Sequence, residues 1–407
     1  MRFAHTAKFK LINILITFSL ICIAGVSLCH AQQSDKQDAT PSDNALQPSE
    51  HIFNLQHKQR DFYFNISCHS INKVKFEKEP DFGQRNIVRG LIPLGSNKKN
   101  YVGFAWDRAN NTLYIDLNRN RDLTDDPNGI LTSKLHGSFQ HFRDIQLTLQ
   151  KQNLSLTYTI EMRMYSYGRN HTSCSAIINS GYSTEIELDG RRWHVGIVDN
   201  MNGNISSGDR FFLSPLDLDF PAGRNSQELR VPGSIFLDSH NYNVSFEFRP
   251  GTKTPILQLR LKESKKPMGK LNIEGEHIAR LVFESGSSTV LLHYPQQNVS
   301  IPVGDYHCSG VYLYCKNVGL FNPQRIFGIK KENISITEDG STTIKAGGPL
   351  KNIVEIKRSG TTLNLNYKLI GIDNKSYTNL NGRRDKPPTF TIYKGDKEIA
   401  SDKFEYG

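Results

Sequence analysis

The chain is 407 residues long, with 50 Lys and Arg against 40 Asp and Glu, and that length accommodates two to four domains with cores of their own. Its net charge of +10 is scattered over Arg191-Arg192, Lys262 to Lys266, Lys330-Lys331 and Arg383-Arg384, without interleaved aromatics. That pattern excludes a nucleic-acid-binding surface, and no segment beyond residue 31 is apolar enough to span a bilayer.

The first 31 residues read as an export signal. Arg2, Lys8 and Lys10 precede an apolar run from Leu11 to Leu28, and Cys29-His-Ala31 ends it with a cleavage site. Acylation of Cys29 is disfavoured by Leu28, where lipoprotein signals carry a small residue. The mature chain then starts near Gln32 with a charge of about +7. Residues 32–50, rich in Gln, Ser, Asp, Pro and Ala, read as a disordered leader. The expected location is secreted, periplasmic or at the cell envelope.

From His51 onward, period-two alternation replaces helical periodicity. Ile145, Leu147 and Leu149, a turn at Lys151-Gln-Asn153, then Leu154, Leu156, Tyr158, Ile160, Met162 and Met164 predict a long hairpin with one buried face. The methionines read as core filler. Asp189-Gly190 predicts a two-residue hairpin turn. Tyr242, Val244, Phe246 and Phe248 alternate through Arg249-Pro-Gly251 into Leu257, Leu259 and Leu261. Gly269 to Leu281 and Thr289 to His293 read as a short-strand meander, and Leu363, Leu365, Tyr367 and Leu369 as a last inward face. These predict an all-β protein of several antiparallel, sandwich-like domains in tandem with little helix. The expected limits are 51–180, 181–265, 266–338 and 339–407, the last Ig-like.

The densest chemical signal follows the strand Leu113-Tyr-Ile. Asp116, Asn118, Asn120 and Asp122 place oxygen side chains at alternate loop positions, with Asp125 and Asp126 close behind. That spacing suits a hard cation, and a structural Ca2+ is the expected cofactor. Arg121 stands where EF-hand loops carry Gly, and Pro127 where they carry a bidentate Glu. The competing reading is an Asx-rich turn that caps its own backbone. Asp199, Asn202, Asn204 and Asp209 form a poorer copy, interrupted by Met201.

Four cysteines follow the signal: Cys68, Cys174, Cys308 and Cys315. On one continuous strand Cys308 and Cys315 would lie roughly 23 Å apart on opposite faces, so pairing would need a turn at Ser309-Gly310. Pairing of Cys68 with Cys174 is equally open. Nine Asn-x-Ser/Thr sequons begin at Asn65, Asn110, Asn153, Asn170, Asn204, Asn243, Asn298, Asn333 and Asn374, and are glycan acceptors only in a eukaryotic secretory pathway. Asp107 beside Trp106, Glu185 with Glu187, and His69, His171 and His194 have the residue types of acid–base catalysts but no diagnostic spacing. His136 and His141 miss the i, i+4 spacing of a helical zinc pair.

The stretch from Leu113 to Asp126, the Gly347-Gly-Pro-Leu350 segment and the terminal Lys403-Phe-Glu-Tyr-Gly407 together resemble exported bacterial proteins of uncharacterised families. Those carry a D-x-N-x-[ND]-G-D-L-T-D loop and end in F-E-Y-G; Arg121 departs from their Gly. Ile301-Pro-Val-Gly-Asp-Tyr-His-Cys308 is similar to the P-x-G-x-Y edge of carboxypeptidase-regulatory-like and prealbumin-like sandwiches. Neither resemblance carries an activity. The expected function is non-catalytic: an exported, calcium-stabilised β-sandwich protein that binds an acidic glycan or an envelope protein. The alternatives are a secreted, glycan-acting hydrolase with a cleft in the first two domains, and a purely structural spacer.

Overall fold

The computed structural model describes residues 49–404 except 70, 96–99, 168–170, 217–227, 316–317, 324–332, 361 and 380–387. The export signal, almost all of the leader and the terminal Glu405-Tyr-Gly407 lie outside the described residues. The fold is all-β in several separate sheets, and the one helical element among the described residues is the 3-10 turn Pro127–Gly129. The chain divides into two compact units, one of Ser49–Ile353 with Lys368–Arg383 and one containing Val354–Tyr367 and Arg384–Gly407.

The larger unit packs its sheets face to face over three apolar clusters. In the first, the four-stranded antiparallel sheet Ile87–Pro93, Tyr101–Asp107, Thr112–Ile115 and Ile130–Thr132 lies over Phe139–Lys151, Leu154–Tyr167 and the first half of His171–Leu188. Phe104, Trp106, Leu113 and Ile115 meet Phe142, Ile145, Ile160, Met162 and Met164 there. The predicted hairpin forms, with Lys151 opposite Leu154 and Gln152 in the left-handed region at φ +51°. Each large apolar side chain so buried contributes on the order of 2 kcal/mol, which is why strict alternation is enough to choose the inward face.

In the second cluster, the end of His171–Leu188 turns at Asp189-Gly190 (φ +52° and +71°) into Arg191–Val198. These strands and Arg210–Pro215 face Ser234–Leu237, His240–Arg249 and Ile256–Glu263. The first strand, Glu50–Ser67, serves both layers: up to Leu55 it pairs with Ile256–Glu263, and from Gln56 with His171–Leu188.

The third cluster sits between Met268–Glu274 with its neighbours and the strands Ile278–Ser285, Ser288–His293 and Gly304–Cys315. Two strand pairings among the described residues of the unit are parallel, Met268–Glu274 with Ser341–Lys345 and Ser234–Leu237 with Ser288–His293, where alternation alone led us to expect antiparallel ones. Gly304–Cys315 is one continuous strand, so the turn at Ser309-Gly310 that a Cys308–Cys315 bond would require is not formed. In the smaller unit, Thr389–Lys394 and Lys397–Lys403 form a hairpin, and the Phe404 ring lies 5.5 Å from Tyr367 and 5.1 Å from Phe390.

Candidate functional site

The acidic loop leaves its strand at Ile115, and its first peptide is tied down when Asp116 N donates to Gly103 O at 2.9 Å. Arg119 and Arg121 both adopt positive φ (+62° and +68°), so Arg121 makes the left-handed turn that Gly makes in EF-hand loops. It is held there by its Nη2 donating to Lys75 O at 2.7 Å, while Glu77 N donates to Arg121 O. Leu123 plugs into a small cluster with Phe82, Ile87 and Ala105.

Within that frame the oxygens chain along the loop. Asp116 accepts the Asn120 and Arg121 amides at 3.0 and 3.1 Å. Asn118 Oδ1 accepts Asn120 N, Asn120 Oδ1 accepts Asp122 N, and the Asn118 and Asn120 side-chain amides both donate to Asp125. Asp126 Oδ2 accepts Asn118 N at 3.4 Å. Asp116 and Asp126 are buried, whereas Asn118, Asn120 and Asp125 are exposed at the rim. Burial pushes the Asp116 and Asp126 carboxyls upward, and the proximity of another carboxylate adds to the push: Asp126 for Asp116, Asp125 for Asp126. Among the described residues no cationic side chain pairs with either, since Lys78 reaches only Asp122, at 3.3 Å. Nor do three His, Cys, Asp or Glu side chains among them converge as a ready-made metal cage. The set fits a hard cation through its chemistry: all donors are oxygen, two carboxylates are buried without a counter-charge, and the left-handed turn exists.

The second loop is committed internally. Asp199 accepts Asn202 N, Gly203 N and, at 2.6 Å, the Tyr158 hydroxyl. Asp209 accepts Asn200 N together with the amide and hydroxyl of Ser206. Asn204 Oδ1 and Gly203 O are taken by the Lys151 ammonium, so a side-chain cation already stands against them. Burial, with Asp209 nearby, raises the Asp199 carboxyl to about 6 despite the Tyr158 hydrogen bond. Met201 breaks the alternation because it is fully buried in the first core.

At the other end of the Tyr101–Asp107/Thr112–Ile115 hairpin lies a feature that no motif announced. A cleft of about 1260 Å3 is lined by Asn72, Arg85, Asn86, Trp106, Arg108 and Asn111, among others. Its floor is rigid: Trp106 Nε1 donates to the buried Gln140 Oε1 at 2.5 Å, and Gln140 in turn donates to Asn111 and Ser133 O. Asp107 is fully buried, with Oδ2 at 2.9 Å from Arg85 and both oxygens accepting from Asn110. It is an anchor for Arg85 and not a free base. Asp107 offsets the charge of Arg85, so the positive charge of the wall rests on Arg108.

Among the described residues, the remaining catalytic candidates do not converge. Glu185 pairs with Arg192 at the surface, on the face opposite the buried Ile186 and Leu188, and His194 is exposed. The Phe139 ring lies near both His136 and His141, and His141 Nδ1 turns to Glu161 at 3.5 Å. The His171 side chain lies outside the described residues. A His–Asp pair that spacing could not reveal joins His293 to Asp238: Nδ1 at 3.3 Å and the His293 amide at 2.7 Å share Oδ1, and Arg191 Nη1 meets Oδ2 at 2.9 Å. It is packed against Trp193 in the second core, away from the cleft. Compared with family models, curated proteins and solved structures, the chain matches none.

Proposed function

We propose that this is an exported, non-catalytic β-sandwich protein that holds an acidic polymer, in the first instance a uronic-acid-type glycan, in the cleft beside Trp106. A Ca2+ ion held by Asp116 and Asp126, with Asn118, Asn120, Asp122 and Asp125 around them, serves a structural role. The carrying observation is the cleft itself: the Arg108 guanidinium and three asparagine amides line one large open concavity, beside an Arg85 whose charge the buried Asp107 already offsets. Guanidinium groups pair with carboxylates through parallel hydrogen bonds, and amides satisfy sugar hydroxyls. A hydrolase of glycans would need two carboxylates facing across the cleft, and its described lining residues supply none.

The test is retention of the purified protein on an acidic polysaccharide such as polygalacturonate, against a neutral dextran of similar length. Salt-sensitive binding to the acidic polymer is expected, weakened at least about tenfold in Arg108→Glu, since one reversed charge contact is worth on the order of 1.4 kcal/mol or more. Equal affinity of the Arg108→Glu and wild-type proteins would overturn the reading, as would equal retention on dextran.

A further inference from the structure

We propose that Cys68 and Cys174 form a disulfide that staples the first strand to the central strand at the edge of the cleft. Ser67 stands opposite Ser175 in the antiparallel register, which puts Cys68 opposite Cys174, and Cys68 N donates to Cys174 O at 3.0 Å. Both are free thiols in this structure; residues facing each other through such a bond have Cα atoms about 5.5 Å apart and side chains on one face, inside the Cα window of about 4.4–6.8 Å that a disulfide spans. Both side chains pack into the same apolar cluster. With Cys308 and Cys315 on one continuous strand, their mutual pairing does not compete.

The location gives the bond a purpose. Directly after Cys68 the chain leaves the central strand: His69 pairs with Leu91 and Asn72 N donates to Arg89 O. Ile71 and Asn72 on one arm of this fork, and Thr172 on the other, line the cleft. A covalent link at the fork holds both walls in place, and it closes a loop of more than a hundred residues, the range in which a crosslink restricts the unfolded chain most.

The bond is formed by thiol–disulfide exchange. One thiolate attacks a disulfide oxidant, the second displaces the mixed disulfide, and the two protons and two electrons of the thiols leave with the oxidant as two new thiols. Burial pushes the Cys68 thiol well above its ordinary range and Cys174 to about 12, so the folded dithiol form holds almost no attacking thiolate. The bond therefore forms during folding, before the strands close over it. Its presence in the cell rests on the export reading, because the oxidant belongs to an oxidising compartment.

The full-length chain, refolded once in a mixed glutathione buffer and once under strong reductant, is digested without reduction and mapped by mass spectrometry. A peptide joining Cys68 to Cys174 is expected in the first sample only. Its thermal midpoint should lie roughly 5–10 °C above that of the reduced protein, a gap that disappears in Cys68→Ser and in Cys174→Ala. Alkylation of both residues in the oxidised sample, or linkage of either to another cysteine, would sink the proposal whether or not the variants fold. If the glutathione sample is linked and protein taken from cells is not, the export reading fails and the geometry stands.

Discussion

Asp116 is the residue on which the loop turns. Its carboxylate is buried and holds two backbone amides, yet its neighbour Asp126 is a second buried carboxylate with no cationic side chain beside it among the described residues. Two such charges repel across a medium of low polarizability, and a bound divalent ion reverses the sign of that interaction. Millimolar Ca2+ should therefore raise the midpoint of thermal unfolding by about 3 °C or more, and Asp116→Ala should abolish the shift. An equal midpoint with calcium and with chelator in the wild-type protein would leave only a self-capped turn. The alternation of Asp and Asn was legible in the sequence because ligand spacing in a loop is local. The tolerance of Arg121 for a left-handed conformation was not, because it depends on Lys75 and Glu77, more than forty residues earlier in the chain.

At the level of elements, the loop is closed by the 3-10 turn Pro127–Gly129. A Cβ on Gly129 would stand 2.2 Å from Ile115 O, so the chain can pass only where no side chain exists. Gly129→Ala is expected to cost about 2–3 kcal/mol of stability by displacing the turn from the end of the strand. A urea midpoint within error of wild type would show that the turn yields without cost. The long hairpin was readable in advance from its alternation, and the Asp189-Gly190 turn because both its residues tolerate positive φ; that Gln152 takes the left-handed position in the first turn was not. The first strand was harder to read. Nothing in its own residues marks Leu55 to Gln56 as the point where it exchanges one sheet for another.

Across the whole larger unit, the polar network of Arg191, Asp238 and His293 ties the Arg191–Val198 hairpin to the sheet facing it. Burial lowers the pKa of His293 even against the pull of Asp238, so the folded protein resists protonating the imidazole. Asp238 is held below its usual range because the His293 and Arg191 contacts outweigh its own burial. A histidine whose folded pKa lies below its unfolded value near 6.5 contributes no penalty above that pH. Below it, the unfolded chain binds the proton better and stability is lost. Between pH 7.5 and 5 the wild type should thus lose more stability than His293→Gln, with the difference bounded by about 1.4 kcal/mol per pH unit below 6.5. Parallel urea-denaturation profiles for the two proteins would show that the ring titrates freely.

Local periodicity determined that this chain is built of strands, which faces turn inward, where several hairpins reverse and where an oxygen-rich loop interrupts them. Those features follow from the two-residue repeat of an extended backbone and from turn chemistry within a few residues. Partner choice belonged to the tertiary structure. It brought Cys68 opposite Cys174, set His293 on Asp238, placed Lys151 against the second acidic loop and assembled the cleft from Asn72, Arg85, Arg108 and Thr172. A strand's alternation states which face is buried, but it does not name the strand lying alongside. The arrangements that carry the proposed chemistry are contacts between segments far apart in sequence, decided by which apolar faces pack together most completely.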